Sequence, residues 1–334
     1  MKANTPIDLK IWKIFLTLIL ITIIGCTPKD AQSPEQITTE PASETIIIDR
    51  ESKVPTDAVK MNPQTDAAPV KSLSSEYNDP VPLQYPINTA GAEDSPFIMP
   101  DGNTLYFFFT PDVRVPVEKQ VIDEVTGIYV AKKINGEWQK PERILLQEPG
   151  KAGTDGCEFA QDNVIYFCTV REGYTGIHWF KADYANGKWQ NWRSADKELK
   201  TDEYKTGELH ISSSNQELYF HADNKAGGKG SRDIWISKKI NGEWGEPKNV
   251  AAVNTERDDG YPALNPENNE LWFTRDYGTW RSKKINGEWQ TPEQMFSPLA
   301  GEPSIDNAGN VYFIHHFFNK DKMIEADIYV ARKK

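Results

Sequence analysis

An apolar-aromatic triplet recurs five times along this chain. It reads Leu105-Tyr106-Phe107, Ile165-Tyr166-Phe167, Leu218-Tyr219-Phe220, Leu271-Trp272-Phe273 and Val311-Tyr312-Phe313, at intervals of 60, 53, 53 and 40 residues. Self-similarity at this spacing means that one supersecondary unit is copied and stacked, so the repeat constrains the fold more than composition does. A short apolar run and a turn precede each triplet, as in Pro100-Asp101-Gly102-Asn103 and Ser214-Asn215-Gln216. A third short apolar segment follows, for example Ile128-Tyr129-Val130 or Ile234-Trp235-Ile236. Then comes Asn-Gly-x-Trp, at Asn135–Trp138, Asn186–Trp189, Asn241–Trp244 and Asn286–Trp289. Asn-Gly between strands is a strong hairpin signal because both residues tolerate positive φ. Each unit is therefore expected to be a four-stranded antiparallel meander, the size of a propeller blade.

Five units begin, but the last stops after its third strand. Pro80–Thr89 parallels Pro247–Thr255, a fourth strand with its trailing Asn-Thr. The expectation is an all-β, five-bladed β-propeller over residues 80–334, its last blade completed by an N-terminal strand at about 81–87. Such closure removes two exposed sheet edges.

These units, with Asp233-Ile234-Trp235 and the Asn-Gly-Glu-Trp turns, resemble the WD-repeat-like propeller repeats of TolB. Similar repeats occur in bacterial envelope lipoproteins and OmpA-like proteins. The resemblance implies a protein- or ligand-binding module at the axial mouth, with an envelope protein or a glycan as partner.

Alignment on the triplets brings acids to the start of the first, axis-lining strands. One column reads Ser95, Gly156, Glu208, Tyr261 and Glu302; the one before it reads Asp94, Asp155, Gly207, Gly260 and Gly301; Glu93 and Asp259 precede those. Glu93, Asp94, Glu208, Asp259, Tyr261 and Glu302 are thus the expected binding residues. Like charge in a funnel focuses field and favours a cation, an amine or a hydroxyl network. The alternative is enzymatic. Five-bladed glycosidases of the arabinanase type place three carboxylates on the inner strands of their first three blades, and Asp94, Asp155 and Glu208 occupy those blades here, as base or nucleophile, pKa-tuning acid and general acid. Glu158 competes with Asp155 for the second role. The histidines show no metal-ligand spacing, so no metal site is assigned; channel carboxylates are nonetheless the hard oxygen ligands that a calcium ion takes. The repeated tryptophans read as packing between blades.

Ahead of the repeats, Lys2, Lys10 and Lys13 precede an apolar run over residues 14–24, then Gly25 and Cys26. The run is about half the length needed to cross a bilayer and has the form of an export signal. Ile23-Ile24-Gly25-Cys26 resembles a bacterial lipobox, which implies a signal peptide at 1–25, lipidation of Cys26, and anchoring to a membrane. By resemblance to Gram-negative lipoproteins, Thr27 rather than aspartate after that cysteine implies the outer membrane of the cell envelope. Residues 26–79 carry no aromatic before Tyr77 and are rich in Pro, Thr, Ser, Ala, Asp and Glu. That composition predicts a disordered tether. The net charge is −11 for the chain and −8 over residues 80–334, which argues against nucleic-acid binding.

Cys157 and Cys168 flank Asp162-Asn163 symmetrically. With a two-residue hairpin there, they face each other across neighbouring strands. Export to an oxidising compartment then makes a disulfide the expectation.

Overall fold

The computed structural model describes residues 49–116, 119–120, 124–148, 151–320 and 322–334, with residues 202 and 203 described by backbone alone. The signal segment at 1–25, Cys26 and the tether up to residue 48 lie outside the described residues.

The described chain is nearly all-β and propeller-like. The first meander runs Ala92–Ile98, Thr104–Thr110, Gly127–Ile134, Glu142–Arg143, and the second Gly153–Gln161, Val164–Arg171, His178–Ala185, Lys188–Ser194. The third runs Thr206–Ile211, Glu217–Asp223, Arg232–Ile240, Lys248–Asn249. The fourth runs Asp259–Leu264, Glu270–Arg275, Gly278–Ile285, Glu293–Ser297, and the fifth Ala300–Ile305, Val311–Asn319, Lys322–Ala331. All pair antiparallel. Their first strands touch in cyclic order, and the fifth returns to the first, where Ala326 bridges Ala92.

The Asn-Gly pairs are the tight turns that the sequence signals. Asn135 and Gly136 have φ of 52° and 86°, and Asn286 and Gly287 have 50° and 84°. Positive φ at both central residues matches the twist of a two-residue hairpin, which is why Asn and Gly recur there.

The triplet sits on second strands and is two-faced. Leu218 and Phe220 pack back on the second meander with Phe159 and Trp179, whereas Tyr219 packs forward on the fourth with Leu271 and Phe273. Leu271 and Phe273 face the third meander in the same way, and Trp272 faces the fifth. Alternation along a strand requires this. Each triplet therefore fills two interfaces, and each buried side chain contributes roughly 1.5–3 kcal/mol. Trp138, Trp189, Trp244 and Trp289 join the cluster shared with the preceding meander.

Two expectations are corrected here. The closing strand is shorter than 81–87. Val81 and Pro82 pair with Val330 and Tyr329, Leu83 N–H donates to Ile328 O at 2.9 Å, and Gln84–Ile87 turns away. Pro82 and Pro86 have no N–H to extend the ladder. Residues 49–79 are also not a loose tether. Arg50 is 4% exposed, paired with Glu93 at 3.1 Å and donating to Pro86 O and Ile87 O. Lys60 bonds both Glu325 and Asp327, and Asp66 meets His315 Nε2 at 2.8 Å. Lys71–Ser72 adds a strand outside Glu293–Ser297, and Val70 and Tyr77 are buried against Phe296. Average composition missed this strap because charge pairs and two apolar anchors fasten it, rather than a hydrophobic run.

Candidate functional site

Every first strand breaks register, four of them at the same height and the third within one pair of it. The ladder skips between Asp94 and Phe97, Gly156 and Phe159, Thr206 and Leu209, Gly260 and Ala263, and Gly301 and Ser304. Within these bulges Ser95, Cys157, Tyr261 and Glu302 take φ of 47°, 54°, 56° and 52°. A bulge re-aims a side chain out of the pleat, and here it does so around the axis. Close packing is needed at the same level: a Cβ on Gly207 would stand 2.1 Å from His221 Nε2.

The strand register changes the alignment in the second meander. Gln161 pairs with Val164, so its turn has only two residues, and Cys157 rather than Gly156 stands level with Ser95, Glu208, Tyr261 and Glu302. Asp155 consequently belongs with Glu93 and Asp259, not with Asp94. These three acids are structural. Asp155 is 6% exposed and held by Arg171 at 3.0 Å; Asp259 is fully buried on Arg275 and on the Thr255 backbone N–H and hydroxyl. Glu93 is fully buried on Arg50 and on the same two groups of Thr89. Burial pushes all three carboxyls up, and the neighbouring guanidinium opposes that. The Asn that precedes each Thr pins a third strand: Asn88 bonds both Ile328 N and O, and Asn254 bonds both Ile234 N and O. At these two junctions the Asn-Thr-x-x-x-acid pattern thus fixes the fourth strand to the next first strand. Of the trio expected for catalysis, Asp155 leaves; of the six expected binding residues, Glu93 and Asp259 leave.

What remains converges. A hollow of about 40 Å³ on the axis is walled by Ser95, Glu158, Glu208, Tyr261 and Glu302, with Phe97 and His210 behind. Ser95 Oγ lies 2.8 Å from Glu302 Oε2 and 3.5 Å from Glu208 Oε1. Glu158 is 6% exposed, and no other described residue hydrogen-bonds either of its carboxyl oxygens. Tyr261 accepts from Arg232, whose guanidinium is clamped on Asp223, and the Tyr261 N–H donates to His221.

Burial raises the Glu208 carboxyl to about 8, helped by the charge of Asp94. Glu302 and Glu158 are pushed well above the ordinary carboxylate range by burial, then by the neighbouring acids. The group shares protons near neutrality, and its titration belongs to the cluster rather than to one residue. Burial lowers His210 and His221 to about 3, so both imidazoles are neutral. Burial, then the charges of Glu302 and Glu208, raises the Tyr261 phenol.

Of the residues that sequence reasoning named, Glu208, Tyr261 and Glu302 line this hollow, as does the competitor Glu158; Asp94 does not line it and acts on Glu208 and Glu302 through its charge. Sequence reasoning missed Ser95 as a bridge and Arg232 as the cation beside Tyr261; neither carries a sequence signal beyond its place in the repeat. Cys157 and Cys168 form a disulfide with Cα atoms 5.4 Å apart. They are not directly opposed, because Cys168 pairs with Gly156 and Cys157 occupies the bulge. Among the described residues no group of three or more His, Cys, Asp and Glu side chains is arranged to hold a metal ion.

No family model and no curated protein matches this sequence. Solved structures with similar coordinates include a thermostable family-43 glycoside hydrolase, at 12% identity and a TM-score of 0.46, covering 74% of this chain and 91% of that one. The endo-arabinase from Bacteroides thetaiotaomicron VPI-5482 gives 14% identity and 0.46, covering 72% and 93%. The putative TolB from Agrobacterium tumefaciens gives 12% and 0.42, covering 70% and 73%. Likeness at this level assigns no activity.

Proposed function

We propose that this protein is an exported, lipid-anchored, five-bladed β-propeller that binds a small ligand at its axial mouth without transforming it. The cyclic contacts of the first strands and the pairing of Val81–Pro82 with the last meander support a ring of five four-stranded blades. The lysines, apolar run and Cys26 support export and anchoring to a membrane, with the cell envelope as the setting.

The observation that carries the binding reading is the hollow itself. At about 40 Å³ it has room for a few waters or one small charged group. Sites for drug-sized ligands enclose roughly 300–1,000 Å³. Loops and channel mouths vary on a rigid ring without unfolding it, which suits a binding site.

Glycoside hydrolysis is the second reading, because Asp94, Glu158 and Glu208 come from three successive blades and influence one another. It requires a sugar to sit between a base and an acid about 5–9.5 Å apart, and a hollow of about 40 Å³ is too small for a sugar ring.

Both readings meet in one experiment. The protein is screened by calorimetry against glycans, cations and amines, and the screen is repeated with Glu208→Gln while released reducing sugar is followed. Saturable binding that weakens in the variant, with no sugar released, fits the binding module; release of sugar that depends on Glu208 replaces it with the hydrolase. Labelled-lipid incorporation that is lost in Cys26→Ala fits the anchor; a wild-type protein that takes up no lipid removes it.

A further inference from the structure

We propose that the axial hollow receives a primary alkylammonium group, with Glu158, Glu208 and Glu302 as its acceptors. This inference rests on the binding reading above and names its ligand class. Glu158 is the observation that points to a ligand. A carboxyl group nine-tenths buried normally has a hydrogen-bond partner, because a buried polar group without one loses its hydration and regains nothing for it. Glu158 lines the hollow, 6% exposed, and no other described residue hydrogen-bonds either of its carboxyl oxygens.

The wall decides the class. Its acceptors are carboxylates from the second, third and fifth meanders, and the cation nearest them, Arg232, is already committed to Asp223. An ammonium brings three donors on a compact head, matching three acceptors in a small space. A guanidinium is planar with five donors and needs more room. Calcium takes six to eight oxygens around one point, about twice what an ammonium with three donors needs. Phe97 and Tyr261 stand on the same wall and give an alkyl stem or a cation an aromatic surface.

The ammonium could belong to a free amine or to a lysine side chain, so the probes separate the two. Full-length protein is titrated by calorimetry with butylammonium chloride, Nα-acetyl-lysine N-methylamide, tetramethylammonium chloride and calcium chloride. Butylammonium is expected to bind saturably, with at least a tenfold loss in Glu158→Gln and in Glu302→Gln. Tetramethylammonium, which has no N–H, is expected not to bind. Equal binding of the lysine analogue shows that a side chain reaches the hollow; its failure beside butylammonium restricts the site to free amines, and both results support the proposal. Glu158→Asp keeps the charge and guards against a variant that does not fold. If calcium or a glycan binds in a Glu208-dependent way and butylammonium does not, the ammonium assignment falls while the binding module stands. If no probe binds, both fall.

Discussion

Ser95 of the first meander donates its hydroxyl to Glu302 of the fifth across 2.8 Å, and the same oxygen lies 3.5 Å from Glu208 of the third. One small side chain of the first meander therefore ties together two carboxyls, from the third and fifth meanders, that are far apart in sequence. Its position in the bulge, with φ of 47°, aims it at them.

Ser95→Ala should destabilise the protein by about 1 kcal/mol, because two half-buried carboxyls lose a common hydrogen-bond partner. Urea denaturation of wild type and variant at neutral pH measures this. Equal midpoints would mean that the bridge contributes nothing.

The raised Glu208 carboxyl makes stability depend on pH. A folded value of about 8 against 4.5 for the free side chain means that the folded state retains a proton over this interval after the unfolded chain has released it. The contribution is complete below about 4.5 and is lost as pH rises toward 8. Asp94, Glu158, Glu302, Ser95 and Arg232 face or influence this group, so the fall belongs to the cluster. Glu208→Gln should gain on wild type by at least about 1 kcal/mol between pH 5 and 8, the worth of one pKa unit. Parallel stability curves would contradict this.

Much of the ring is legible in the repeats. Five triplets at blade spacing and four Asn-Gly turns predict the strand order, and Pro80–Thr89 reads as the displaced fourth strand because it repeats Pro247–Thr255. The site was harder to read, for a local reason. Aligning backward from the triplets crosses turns of unequal length, and the two-residue turn at Asp162-Asn163 moved Asp155 one place too near the axis. No sequence pattern announces that Arg171 and Arg275 neutralise one layer of acids while the next layer, Glu158 and Glu302, has no such partner. The strap was illegible because Arg50 and Lys60 act through buried acids distant in sequence.

That strap yields its own test. Arg50 and Glu93 are almost wholly buried, and Arg50 also packs on Phe107, Phe109 and Tyr129. Arg50→Ala leaves Glu93 uncompensated and should cost about 3–5 kcal/mol. Denaturant unfolding checks it; a loss under about 1 kcal/mol would return residues 49–79 to the status of a loose tether.

The Cys157–Cys168 disulfide spans a sequence separation of 11. By loop entropy it should contribute about 2–3 kcal/mol. Cys157→Ser with Cys168→Ser should therefore lower the melting temperature, and reductant should lower that of the wild type but not of the double variant. Reductant without effect on the wild type would show that this bond adds no stability.

The most direct test of the account is a crystal structure of the protein grown with butylammonium. The account predicts nitrogen density in the axial hollow within about 3 Å of carboxylate oxygens of Glu158, Glu208 and Glu302, on the axis of a ring of five meanders. A hollow without ligand density, with Glu158 paired instead to another side chain of the protein, would contradict it.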